Sequence, residues 1–230
     1  MNEIFFSRLL AYSLLPLLLA AGHLALDRHS RQPARRIEIF TLYMLAISVG
    51  ANGLSGAFGH LFLSDLVAEA IGWPGGSPFQ QEMGFANLAI GVLGFMAISR
   101  RNGFRTATIV ATAILGFGAT LVHIWDIVEA GNLAPGNTIQ NVANLLDPIL
   151  LIVLARLANQ FEPAGLARQS FLNWQLRQQP ILGMAAAGIG TGFGLGHALD
   201  ALLIWTLAGA LVGVCLGSFM SRRIAGHTAN

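Results

Sequence analysis

The chain has 230 residues, of which 54% are hydrophobic and 10% charged, whereas about a quarter of an ordinary soluble domain is charged. All 13 basic residues are Arg; they fall in short clusters between long apolar runs, which excludes a phosphate-tracking surface and a nucleic-acid partner despite a pI near 9.3. The single cysteine, Cys215, excludes an intrachain disulfide and a multi-cysteine metal knuckle, and its place inside an apolar run reads as packing.

A helix needs about 20 apolar residues to span the hydrocarbon of a bilayer. Seven windows meet that length without strand-like alternation: 4–26, 37–63, 78–99, 106–128, 138–157, 180–196 and 201–220. The fold class is therefore all-α, a polytopic transmembrane bundle of about seven helices with the lipid bilayer as its first partner. Loop charges support the count. Arg28, Arg31, Arg35 and Arg36 follow the first span, Arg100, Arg101 and Arg105 the third, Arg156, Arg168 and Arg177 the fifth, and Arg222 and Arg223 the seventh; the intervening loops carry no Arg. Because Arg favours cytoplasmic loops, this alternation predicts a multi-pass protein of the cytoplasmic (inner) membrane with its N-terminus outside and C-terminus inside. Arg8 is then the misfit, a charge at or below the outer interface that must snorkel. Residues 9–19 also have the composition of a signal-peptide core, but four Arg directly after the apolar run read as a retained loop.

The chain divides into a five-helix body (1–158), a polar interfacial linker (159–179) and a glycine-rich hairpin with a short tail (180–230). Gly209, Gly213 and Gly217 recur at i+4, a smooth edge for close helix approach, self-association or docking of a membrane-protein partner.

Candidate chemistry gathers on the outer side. Gly50, Gly53, Ala57, His60 and Ser64 share one helical stripe; Thr112, Gly116, Ala119, His123 and Asp126 share another; Asn137, Asn141, Asn144 and Asp147 a third. Convergence of the three would join imidazoles, carboxylates and amides, with Asn87 on the facing Gly84, Gly91 and Gly94 stripe. His60, His123 and Asp126 are the candidate metal ligands, although the repeated E-x-x-H pair of di-iron bundles is absent. Ser77-Pro78-Phe79-Gln80 reads as an N-cap, a first-position Pro and a capping-box Gln, with Glu82 near the first turn where a carboxylate is favoured. Asn137-Thr138-Ile139-Gln140 reads as a second capping box. Asp147 lies about 14 Å into its span, where a carboxylate costs on the order of 3 kcal/mol unless neutral or paired, and Pro148 beside it frees the Asn144 carbonyl.

The segment Ile71-Gly72-Trp73-Pro74, then Ser77-Pro78-Phe79-Gln80-Gln81-Glu82-Met83-Gly84-Phe85-Ala86-Asn87-Leu88 and Gly91, resembles an uncharacterised family of small bacterial membrane proteins similar to the DoxX-like four-helix group. The resemblance covers residues 37–157 and implies a helical bundle in the cytoplasmic membrane, with no particular activity. Three functions stay open at this point: binding or transport of a small ligand or cation through the outer polar cluster, assembly with a partner through the hairpin, and a metal-dependent or redox membrane enzyme. No cofactor is indicated by the sequence.

Overall fold

A computed structural model describes residues 2–27, 32–101, 103–161 and 202–227, with Met184, Gly188, Ile189 and Gly192 between the last two segments. Among these residues the chain is helical with no strand. Five helices are long and apolar enough to cross a membrane: α1 (Phe6–Leu26), α2 (Pro33–Phe62), α4 (Pro78–Ile98), α5 (Gly103–Ala130) and α6 (Pro135–Gln160). At 1.5 Å per residue, the 21 residues of α4 make about 31 Å, the thickness of the hydrocarbon core. A short helix, α3 (Ser64–Ile71), follows α2 directly; α7 (Leu202–His227) closes the chain. The expected sixth span, 180–196, lies almost wholly outside the described residues.

The second span is the core of the body. Its central residues, Met44–Ala51, are all buried, and this stretch is wound as π-helix, as is Leu10–Leu14 of α1. Around it the other helices turn apolar side chains outward: Leu18, Ile114, Leu121 and Val153 are exposed, as a lipid-facing shell requires.

Glycines set the helix pairing. A Cβ on Gly53 would stand 2.6 Å from the backbone of Gly91, and one on Gly94 would stand 2.7 Å from the Gly50 nitrogen, so α2 and α4 meet backbone to backbone. Gly116 does the same for α5 and α6, where a Cβ would stand 2.6 Å from the Asn144 carbonyl oxygen. In the C-terminal part, Gly188 and Gly209 approach so closely that a Cβ on either would collide with the other's carbonyl. Gly213 and Gly217 are buried. Cys215 is exposed, not the packing residue its apolar surroundings suggest, because it lies on the face of α7 opposite those glycines.

At the end of the bundle where α4 runs into α5, Glu38 of α2 is fully buried and faces two arginines. Arg105 Nη1 donates to both carboxylate oxygens at 3.1 and 3.0 Å, and Arg101 Nε lies 3.3 Å from Oε2. The remaining guanidinium donors of Arg105 reach the Ala97 and Ile98 carbonyls at 3.1 Å, capping the C-terminus of α4.

Candidate functional site

Between the α2–α4 pair and the α5–α6 pair lies a cavity of about 730 Å³, within the roughly 300–1,000 Å³ of ordinary ligand sites. Its wall is mostly apolar, including Val49, Ile90, Leu115 and Val122, with α3 and Trp73 over one end. Polar groups come from every side: Arg8 from α1, His60 from α2, Gln80 and Asn87 from α4, His123 from α5, Asn144 and Asp147 from α6.

His60 Nδ1 lies 2.7 Å from the Gln80 amide oxygen, within hydrogen-bond distance. Gln80 is fully buried. It is therefore not the capping-box residue its position suggests: tertiary packing has taken the side chain inward, and Ser77 alone caps α4, accepting from Phe79 N at 3.3 Å. The second capping box gives way for the same reason. Asn137 is buried with Oδ1 2.6 Å from His123 Nδ1, while its Nδ2 donates to the Asn132 carbonyl at 2.8 Å. That second bond fixes which end of the amide faces the imidazole, so His123 Nδ1 is the donor. The helix starts earlier, at Pro135, with Ala134 at the N-cap position.

His123 also carries the lid. The Trp73 indole stacks on its ring, centroids 5.5 Å apart, and Trp73 Nε1 donates to Asp126 Oδ2 at 2.8 Å. Asn132 Nδ2 donates to the same oxygen at 2.6 Å and to the Ile71 carbonyl at 2.9 Å. Gly72 must be glycine twice over, with φ at +81° and Asn132 where a Cβ would stand. At the other end of the loop, Asp65 Oδ1 accepts from Gly76 N at 3.1 Å. The H-x-x-D spacing of His123 and Asp126 thus clasps one tryptophan.

Asp147 is 5% exposed. Ser13 Oγ donates to its Oδ2 at 3.0 Å, and its Oδ1 has no hydrogen-bond partner. Asn144 accepts from Gln140 at 3.2 Å. Asn141 donates to the Asn137 carbonyl at 3.0 Å and does not line the cavity. Asn87 lines it and donates to the Met83 carbonyl at 2.8 Å. Glu82 is exposed on the outer face of α4, away from the cavity. Of the eight residues singled out by sequence, the cavity therefore gathers His60, Asn87, His123, Asn144 and Asp147; Glu82, Asp126 and Asn141 stay off its wall. Among the described residues no three His, Cys, Asp or Glu side chains come together to hold a metal ion, so His60, His123 and Asp126 are not one ligand sphere.

Arg8 was missed as a site residue. It does not snorkel outward but turns into the bundle, where Nη2 donates to Asn52 Oδ1 at 2.7 Å and Nη1 to Ser55 Oγ at 3.2 Å, beside the Tyr12 ring. The signal was present as an N-x-x-S step on the facing span, one helical turn that offers two oxygens to one guanidinium.

These features, an all-α transmembrane bundle around one lidded cavity, define an integral membrane protein. The chain belongs to the Family of unknown function (DUF6790), whose profile matches residues 7–164, the stretch that builds the five spanning helices and the cavity. No curated protein and no solved structure matches the chain.

Proposed function

We propose that this protein binds a small, largely apolar molecule in the cavity of its outer half, as a receptor or as one step of a transport cycle. The observation that carries the reading is the cavity itself, apolar over most of its wall with a few convergent polar groups, which is the make-up of small-molecule sites. A bare cation fits less well, because Asp147 is the only acid among the described lining residues and Arg8 shares the space. Assembly through Gly209, Gly213 and Gly217 has less support: Gly188 already covers Gly209, and the other two are buried.

The alternation of Arg-rich loops belongs to the same proposal. It puts the N-terminus, the lid and the cavity mouth on the outer side of the cytoplasmic membrane, with the Glu38 cluster inside. Kinship with the DoxX-like bundles is part of it too, implying the architecture and no reaction.

The test uses the full chain in lipid nanodiscs with 1-aminoanthracene as a fluorescent apolar probe. Saturable binding to the parent is expected, with at least a tenfold loss in Ala119→Phe, which fills the cavity from α5, and none in Ile114→Phe on the lipid-facing side. Equal binding to all three would place the probe in lipid and remove the proposal.

A further inference from the structure

We infer that the ligand is dipolar, with an acceptor oxygen that faces Arg8 and an N–H donor that faces Asp147 at separate ends of an apolar body. This rests on the cavity being a ligand site and goes on to name the chemistry.

The argument begins with how the chain treats its other buried charges. At its end of the bundle Glu38 is matched by Arg101 and Arg105 within 3.3 Å, so the desolvated charges there are compensated by their neighbours. The cavity is different. Arg8 rests on the neutral oxygens of Asn52 and Ser55, and among the described residues no carboxylate pairs with it. Two of its five N–H donors are used, so others are available to a ligand. Asp147 has only the Ser13 hydroxyl, while its buried Oδ1 is unpartnered. Both side chains line the same cavity. A guanidinium and a carboxyl group kept apart on the wall of one apolar space are each incomplete, and a ligand that reaches both completes their hydrogen bonding.

Spacing selects the separation of the two groups. Ser13, the partner of Asp147, follows Arg8 by five residues, more than one turn along the same spanning helix. An ω-amino acid has its charges at opposite ends of an apolar chain.

The experiment measures binding to the full chain in nanodiscs by calorimetry, with 8-aminooctanoate, octanoate, octylamine and octanol as probes. The dipolar probe is expected to bind at least about tenfold tighter than octanol, the equivalent of one charge-assisted bond. Asp147→Asn should weaken 8-aminooctanoate and octylamine about tenfold and spare octanoate; Arg8→Gln should weaken 8-aminooctanoate and octanoate and spare octylamine. Arg8→Lys, which keeps the charge, should retain octanoate if Arg8→Gln proves unstable. If octanol and 1-aminoanthracene bind but the charged ends bring no gain, the cavity reading stands and this inference falls, with water completing both charges. If no probe binds the parent, both fall.

Discussion

Gly53→Ala tests the seam on which the cavity depends. The added Cβ would stand 2.6 Å from both Cα and N of Gly91 and 2.9 Å from the Asn87 carbonyl oxygen, whereas carbon atoms prefer about 3.5–4.0 Å. All three contacts are backbone, so no side chain can swing aside, and α2 and α4 must part by about 1 Å. A gap of that size forfeits roughly a quarter to a half of the dispersion attraction of the atoms along the seam. Overpacking of this kind costs about 1–3 kcal/mol, and the absence of a yielding neighbour puts Gly53 at the upper end. Removing a helix-interior glycine returns about 1 kcal/mol, for a net loss of about 2 kcal/mol. Gly118→Ala is the control, since nothing lies within 4 Å of its Cβ, and it should be neutral or stabilising by up to about 1 kcal/mol. Gly50→Ala should fall between, because its nearest neighbour is the Phe95 ring, which can rotate. The assay is equilibrium unfolding of each purified variant in mixed micelles. Equal stabilities for Gly53→Ala and Gly118→Ala would refute the close packing of α2 on α4.

Glu38→Gln leaves the buried Arg105 and the partly exposed Arg101 without their shared carboxylate and should destabilise by about 3–5 kcal/mol; Glu69→Gln, at an exposed position of α3, should stay within about 0.5 kcal/mol, and the same unfolding assay separates them. Trp73→Phe keeps a ring for His123 but deletes the donor to Asp126. Amide exchange should therefore quicken in α3 while α2 and α4 are unchanged, and uniform exchange would show that Trp73 does not fasten the lid. For topology, Leu133→Cys should react with an impermeant maleimide from outside and Arg36→Cys should not, in a Cys215→Ser background; labelling of Arg36→Cys from outside reverses the orientation.

The spanning helices were legible because length and apolarity are one-dimensional properties, and the five spans found from Phe6 to Gln160 follow the sequence windows closely. The helix Ser64–Ile71 was read as loop, since eight residues are too few for periodicity to speak. Side-chain roles were harder. Gln80 and Asn137 sit in strings with the letters of capping boxes, and sequence alone gives no sign that an imidazole from another helix will claim each of them. Glu38 stands next to Arg-rich loops and looks interfacial; its burial follows from two arginines folding back from α5 and the loop before it. Asp147 was the easier residue, because an acid deep in an apolar run is conspicuous whatever surrounds it. The hairpin windows from 180 onward lie largely outside the described residues.

The π-wound stretch Met44–Ala51 sets the phase of everything beyond it. Hydrogen bonds from i to i+5 take one residue more than an α-turn, so the part of α2 after Ala51 is rotated relative to the part that holds Glu38. Asn52, Ser55 and His60 all face the cavity or its arginine only in that rotated frame. Deleting one residue between Met44 and Ala51 would relax the stretch to an α-helix and swing these three by about 100° around the axis, away from the cavity and its arginine. No site residue would be lost, yet Arg8 and Gln80 would each lose the side chain they hold. In a family alignment, a one-residue gap in this stretch would therefore mark a different binding site more surely than a substitution on the cavity wall.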